Sequence, residues 1–235
     1  MPVFRLTEDL IFPSPEYAEE NGLLAVGGDL SEERIILAYS KGIFPWYSGR
    51  SPILWWSPDP RLALLPEELR ISRSLRQTLK KDTYRVTMDT AFRTVIRRCA
   101  DVHRNKDGDT WITPKMEKAY IRLHERGVAH SVEAWHQGAL GGGLYGVALG
   151  GVFFGESMFS VQSDASKVAF VALVEHLMRW GFTLIDCQVT TRHLVRFGAR
   201  EISRPQFLLK LQDALALPGH YGTWKIEQEG SPMRI

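Results

Sequence analysis

The chain has 235 residues, 44% of them hydrophobic and 24% charged, which is typical of a soluble globular protein with a substantial core. Two cysteines, Cys99 and Cys187, argue against a disulfide scaffold and favour a cytoplasmic location. The start MPVFRLTEDL lacks the pattern of a signal peptide. The uncharged residues 141–155 include seven glycines and are too few for a membrane span, so we expect no membrane partner.

The net charge of +2 conceals an uneven distribution of charge along the chain. Residues 1–40 contain two basic and eight acidic side chains, whereas residues 66–106 contain eleven basic and five acidic ones. A basic region of this size attracts polyanions, although a solvated helical surface has the same pattern. The candidate polyanion-binding residues are Arg73, Arg76, Lys80, Lys81, Arg93, Arg97 and Arg98.

Residues 1–62 predict a small N-terminal domain, and residues 63–235 a larger second one. Ser31 is a helix N-cap followed by two glutamates, where carboxylates suit the helix dipole. The aromatic-rich stretch IFPWYSGRSPILWWSPDPR follows, and most of its rings belong to a core. Trp46 lies between Pro45 and Tyr47 in a predicted loop, so we expect it to be exposed and able to stack on a ligand.

The second region begins with helices and one strand. The spacing predicts a basic helix over residues 72–81, a strand over 84–88 and a helix whose inner face starts at Phe92. Residues 101–110 are polar and predict a loop. Thr113 and Pro114 then start another helix, with Thr at the N-cap and Pro in the first turn.

Residues 129–189 predict an antiparallel meander that continues into a strand–helix–strand unit. Its two strands should be parallel neighbours, ending at Glu156 and at Asp186 and Gln188. Because parallel strands end at one edge of the sheet, we expect these three side chains to converge there, with Cys187 facing away. The alternative is that they are polar residues that only begin the next loops.

The same meander and strand–helix–strand order resembles the N-acetyltransferase sheet. The loop FSVQSDASK contains no glycine, so a coenzyme A site of that kind is disfavoured. Gly141, Gly143 and Gly146 match a dinucleotide-binding glycine pattern, but strand residues follow them, which indicates close backbone approach instead. Cys99 and His103 are too few ligands for a zinc site. We therefore expect neither a metal nor another cofactor.

Several segments together resemble the bacterial leucyl/phenylalanyl-tRNA–protein transferase family. They extend from Phe12 to about Arg204 and read FPSPEYAEENGLLAVGGDLS, GIFPWYSGRSPILWWSPDPR, DTWITPKM, HSVEAW, LYGVALGGVFFGESMFS and LIDCQV with HLVRFGA. The resemblance implies an α+β fold, with a small N-terminal domain beside an N-acetyltransferase-like mixed-sheet catalytic domain. It also implies transfer of Leu, Phe or Met from aminoacyl-tRNA to proteins that start with Arg or Lys, in the cytoplasm, marking them for N-degron-dependent degradation.

The resemblance assigns roles to five residues of this sequence. Trp46 matches the tryptophan of the family's FPW motif, and Trp111 that of its GTWIT motif, where this chain has Asp109-Thr110 in place of Gly-Thr. Glu156 matches the glutamate of GESMFS, and Asp186 and Gln188 match the DCQ motif. Family members often carry Asn-Asp where this chain has Thr191-Arg192.

An aminoacyl ester is already activated, so the chemistry needs an amine, a proton acceptor and a binding pocket. Asp186 is a candidate base, or orients Gln188 and the amine, and Glu156 is a candidate partner of a cationic group. The terminal adenosine suits Trp46 and Trp111. Candidates for the apolar amino-acid pocket, with a plain core role as the alternative for each and most strongly for Phe170, are Leu144, Phe153, Met158 and Phe170.

Two other functions remain open on the sequence. One is a related tRNA-dependent aminoacyl transferase that acts on a cell-wall peptide. The other is a tRNA-binding module without catalysis, which would not require Glu156, Asp186 and Gln188 to converge.

Overall fold

The computed structural model of the chain describes residues 3–49, 51–107 and 109–226. A four-stranded sheet near the N-terminus has the strand order β1-β2-β4-β3, with β1 and β2 parallel. The strands of this sheet are β1 (Phe4–Leu6), β2 (Leu23–Gly27), β3 (Phe44–Pro45) and β4 (Leu54–Trp56). Helix α1 (Glu32–Ser40) connects β2 to β3. Ser31 caps α1 as predicted, because its side chain accepts a hydrogen bond from the backbone N–H of Arg34.

A seven-stranded mixed sheet forms the rest of the described fold, in the order β11-β5-β10-β9-β8-β7-β6. Its strands are β5 (Arg61–Leu64), β6 (Arg85–Met88), β7 (Ala129–His136), β8 (Ala139–Leu149), β9 (Val152–Ser160), β10 (Leu184–Gln188) and β11 (Arg200–Ile202). The helices are α2 (Arg73–Lys80), α3 (Phe92–Asp107), α4 (Pro114–Glu125), α5 (Ala165–Arg179), α6 (Arg192–Arg196) and α7 (Arg204–Leu215).

The large sheet is covered by helices on both faces, because side chains alternate along its strands. Phe153 belongs to a core cluster with α2 and α5 on one face. Phe154 belongs to the cluster on the other face, which includes α3, α4, α7 and the N-terminal sheet. Helices α2 and α3 therefore lie on opposite faces, although they are neighbours in sequence.

The predicted α+β class with a mixed sheet is confirmed, as is the parallel pairing of β9 and β10 joined through α5. The predicted loop over residues 101–110 was wrong, because α3 continues to Asp107. Phe92, Val95 and Ile96 are buried and hold the first turns of this helix against the core. Extending an existing helix costs little free energy, because each added residue also adds a backbone hydrogen bond. Within the described residues, no helix combines the length and apolar character needed to cross a membrane.

The division of the chain after residue 62 stays a prediction. Strand β5, which spans that position, pairs with β10 and β11 of the large sheet. Arg61 begins this strand and reaches back to the carbonyl of Gly42 in the N-terminal region at 3.2 Å. The two sheets are therefore joined by buried polar contacts as well as by apolar packing.

Candidate active site

A cavity of about 620 Å³ opens where β9 and β10 separate. Their parallel ladder ends at the pair Phe154–Asp186, and the later residues of both strands form cavity walls. The volume is in the range of ordinary small-ligand sites. The cavity lies at the carboxyl ends of two parallel strands. This is the edge of the sheet at which the side chains of Glu156 and Gln188 were predicted to converge.

A β-bulge in β9 determines the position of Glu156. Across from β9, Gly146 pairs with Gly155 and Tyr145 pairs with Ser157, so Glu156 is the extra residue. Bulges next to active sites redirect a side chain in this way. Gly146 permits the close approach, because a Cβ atom there would lie 2.5 Å from the ring of Phe153.

A second irregularity, in β10, determines the position of Gln188. Asp186 pairs with Ala63 and Gln188 with Leu62 of β5, so Cys187 is the extra residue. Gln188 adopts a left-handed backbone with φ of 60°, which is costly for a residue with a side chain. The Asp186 carboxylate compensates, because Oδ1 accepts the backbone N–H of Gln188 at 2.9 Å.

Glu156 and Gln188 meet through this pair of irregularities. The side-chain Nε2 of Gln188 donates to Oε1 of Glu156 at 2.8 Å. Two buried tyrosines also donate to the carboxylate: Tyr39 to Oε1 at 2.5 Å and Tyr120 to Oε2 at 2.9 Å. Tyr39 is a buried residue of α1 and Tyr120 a buried residue of α4, and no sequence pattern indicated that their hydroxyls share a carboxylate.

The number of protons in this cluster constrains the state of Glu156. The two phenol oxygens lie 2.5 Å apart, in addition to their contacts with the carboxylate. Burial raises the pKa of both tyrosines well above its ordinary value, so each phenol keeps its single proton. Two phenol protons cannot supply all three contacts, so one of them lacks a proton unless Glu156 is itself protonated and donates to one of the phenols.

Burial raises the pKa of Glu156 to about 7, and the hydrogen bonds from Tyr39, Tyr120 and Gln188 oppose that rise. Both protonation states are therefore populated near neutral pH. A carboxylate tuned in this way is able to accept a proton from an amine of similar pKa. Its position in the cavity wall makes Glu156 the strongest candidate for that step.

Asp186 lies in a different environment from Glu156. It is fully buried, and both of its oxygens are bound by Arg61, from Nε to Oδ1 at 2.8 Å and from Nη2 to Oδ2 at 2.7 Å. The guanidinium of Arg61 lies between the rings of Phe44 and Phe207. Asp186 is not among the described residues that line the cavity. Of the two roles considered from the sequence, this geometry favours orientation of Gln188.

The apolar half of the cavity contains the four residues proposed from the sequence. Leu144, Phe153, Met158 and Phe170 all line it. Further apolar residues that were not proposed from the sequence, among them Leu173 and Ile185, also line it, as does Cys187. Cys187 faces away from Asp186 as alternation predicts, but the cavity passes between the separated strands and reaches it. Burial raises the pKa of its thiol, which disfavours a covalent thiol mechanism.

Two tryptophans stand at the cavity wall. Trp46 is 43% exposed, as expected, and packs edge-on against Trp56 at 5.7 Å. Trp111 is partly buried and packs against the core. Both line the cavity, so the N-terminal region and the large sheet contribute one ring each to the same site.

The seven proposed basic residues are all exposed, but they do not form one surface. Three lie on α2 and Lys81 directly follows it, whereas the other three lie on α3, on the opposite face of the sheet. Two of the α3 residues are ion-paired, Arg93 with Glu125 at 2.5 Å and Arg97 with Glu117 at 2.8 Å. The single basic region inferred from the sequence is therefore corrected to two surfaces, of which α2 has the less compensated charge.

Family profiles match most of the chain. The leucyl/phenylalanyl-tRNA protein transferase profile matches residues 63–212, and the profile of that family's N-terminal domain matches residues 28–59. Among full-length relatives, the leucyl/phenylalanyl-tRNA–protein transferase of Syntrophobacter fumaroxidans is 63% identical, over 97% of this chain and 97% of that protein. The corresponding protein of Anaeromyxobacter dehalogenans strain 2CP-C is 58% identical, over 99% of this chain and 100% of that one.

Similarities to solved structures are much weaker. L-PGS from Bacillus licheniformis is 10% identical with a TM-score of 0.40, covering 72% of this chain and 53% of that chain. A GCN5-related N-acetyltransferase from Kribbella flavida is 12% identical with a TM-score of 0.37, covering 72% and 60%. Similarities at this level carry no argument about function.

Proposed function

The chain belongs to the leucyl/phenylalanyl-tRNA–protein transferase family, and from that premise we propose that it transfers Leu, Phe or Met from aminoacyl-tRNA to proteins whose N-terminal residue is Arg or Lys. The product would be recognised for N-degron-dependent degradation in the cytoplasm. The observation that carries the proposal is one cavity that combines an apolar pocket, two tryptophans and the hydrogen-bonded pair Glu156–Gln188.

In this reaction the α-amine of the acceptor attacks the ester carbonyl of the donor. A C–N bond forms, the bond between the carbonyl carbon and the ribose oxygen breaks, and the amine loses a proton. Glu156 takes that proton in its carboxylate form and passes it to the departing ribose oxygen, which leaves as a hydroxyl, while Tyr39 and Tyr120 hold the oxygens of Glu156 in place. The reference pKa of an α-amino group is roughly 8, close enough to that of Glu156 for efficient transfer.

Gln188 orients the reacting groups, because its amide is already fixed by Glu156 at one end. Asp186 does not contact the substrates in this mechanism. It holds the left-handed backbone of Gln188, and Arg61 fixes Asp186 in place through two hydrogen bonds. Such positioning is worth as much as the proton transfer itself in many enzymes. In this account, Glu156 and Gln188 contact the substrates and Asp186 is a positioning residue.

The donor occupies the two remaining parts of the cavity. Its Leu, Phe or Met side chain enters the apolar half, where Met158 can adapt to side chains of different shape. Its terminal adenine stacks on Trp46 or Trp111. The basic residues of α2 contact the tRNA backbone, which is how proteins recognise double-helical RNA without reading its sequence.

Transfer of labelled Phe from Phe-tRNA to an Arg-starting peptide tests the proposed function. We expect label in the peptide, and none when the peptide starts with an uncharged residue such as Ala. Transfer to a cell-wall peptide instead would identify the related transferase considered above. Binding of Phe-tRNA with no transfer to either acceptor would identify a non-catalytic tRNA-binding module.

Replacing either tryptophan by alanine should weaken donor binding. A stacked base contributes about 1–3 kcal/mol, so Trp46→Ala and Trp111→Ala should each raise the apparent KM for donor by about 5-fold or more. Tyr17→Ala removes another exposed ring, outside the described cavity wall, and serves as the control. If both tryptophan variants keep the native melting curve and wild-type donor KM, their rings are framework and not a stacking site.

A further inference from the structure

Helix α6 forms one wall of the cavity, although no sequence pattern assigned it a role there. Thr191, His193 and Leu194 line the cavity, and the Thr191 hydroxyl caps the helix by accepting the N–H of Leu194 at 3.3 Å. Arg192 and Arg196 are both exposed. They are four residues apart on the helix, so their side chains lie on the same face.

The two arginines of α6 lack, within the described chain, the acidic partners that two arginines of α3 have. Among the residues that the structure describes, Arg192 and Arg196 form no ion pair, in contrast to Arg93 and Arg97. Burial lowers the pKa of His193, and the charges of Lys167, in the first turn of α5, and of Arg196 lower it further. Lys167 itself is paired with Asp164 at 2.6 Å, so the two arginines carry most of the available charge.

His193 adds a polar group that has no protein partner. Its Nε2 atom is shielded from solvent and makes no hydrogen bond among the described residues, while its ring packs edge-on against Phe197 at 5.3 Å. Shielded polar atoms in native proteins are almost always hydrogen-bonded, and the exceptions often mark ligand sites. Helix α6 therefore offers an unsatisfied imidazole nitrogen in the cavity wall and two exposed guanidinium groups on residues that are not among the described lining residues.

We propose that Arg192 and Arg196 bind phosphates of the single-stranded 3′ end of the donor tRNA, with His193 contacting the adjacent ribose. This proposal rests on the proposed function. With the aminoacyl-adenosine in the cavity, the chain of nucleotides that precedes it must leave past the cavity wall, and phosphate is the group that guanidinium binds best. The α2 surface then contacts the tRNA body, and α6 contacts its last nucleotides.

The effect of removing each basic surface should depend on how much of the tRNA the donor contains. Three Phe donors separate them: Phe-adenosine without phosphate, Phe esterified to the trinucleotide CCA, and Phe-tRNA. For Arg192→Ala/Arg196→Ala we expect an unchanged KM with Phe-adenosine, and a KM raised about tenfold or more with both CCA and tRNA donors. For the matched control Arg73→Ala/Arg76→Ala we expect the KM to rise with Phe-tRNA alone.

Charge retention and melting curves complete the test. Arg192→Lys/Arg196→Lys should recover part of the lost affinity, and raising the salt concentration should reduce the difference between wild type and the alanine variant. An unchanged KM with the CCA donor, or an equal rise with the phosphate-free donor at unaltered melting temperature, would overturn the phosphate site. Failure of the wild-type protein to transfer from any of the three donors would instead overturn the proposed function.

Discussion

Glu156→Gln will lower single-turnover transfer by about 10²–10⁴-fold, the usual contribution of a positioned base. Glutamine keeps the shape of the side chain and an acceptor oxygen for one of the two tyrosines, which donate to different oxygens of Glu156, but it cannot accept the amine proton. Donor binding should change little, because the apolar pocket and the two tryptophans supply most of it. Rapid mixing of enzyme-bound Phe-tRNA with an Arg-starting peptide measures the step.

Glu133 provides a matched control for Glu156. It is also fully buried and accepts hydrogen bonds from three hydroxyls, those of Thr87, Thr90 and Ser131, but it is not part of the described cavity wall. Glu133→Gln should lower stability without lowering the rate per folded molecule. Wild-type transfer by a folded Glu156→Gln variant would show that Glu156 does not accept the proton.

Asp186→Asn will lower transfer by about 10²-fold, because Gln188 will no longer be held accurately against the substrates, and will also destabilise the protein. Removing the carboxylate leaves the Arg61 guanidinium buried without its counter-charge, and breaking a buried ion pair in this way costs about 3–5 kcal/mol. Thermal melting and turnover per folded molecule, measured together, separate the two effects. A variant with normal stability and normal turnover would contradict the role given to this ion pair.

The double variant Asp186→Asn/Arg61→Met distinguishes positioning from base catalysis. Methionine fills the space between Phe44 and Phe207 without a charge, so much of the lost stability should return. The asparagine oxygen still accepts the N–H of Gln188. If Asp186 is a positioning residue, part of the activity returns with stability. If it is the base, stability returns and activity does not.

Local patterns predicted the elements that carry the site. Apolar runs of strand length, together with Gly181 after α5, indicated the parallel pair β9 and β10, and period-two alternation placed Cys187 opposite Asp186. The exposure of Trp46 followed from its position beside Pro45 in a short loop. These features depend on residues close in sequence, which is why the sequence alone was enough.

The features that the sequence did not reveal depend on contacts between distant residues. A bulge at Glu156 appears only when β8 is paired with β9, and the left-handed Gln188 only when β5 is paired with β10. Arg61 lies 125 positions from Asp186, and Tyr39 lies 117 positions from Glu156. The basic segment appeared continuous because the sequence does not reveal that edge strand β6 separates α2 from α3 across the sheet.

The pH dependence of single-turnover transfer at saturating acceptor tests most directly whether Glu156 is the proton acceptor. Its pKa is raised and its active form is the carboxylate, so transfer should be fast above pH 7 and be lost as the pH falls through about 7. Tyr39→Phe removes a hydrogen bond that lowers this pKa, so the midpoint should move to higher pH, whereas a different acceptor peptide should leave it in place. A midpoint that follows the acceptor amine and ignores Tyr39→Phe, or that persists in Glu156→Gln, would contradict the account.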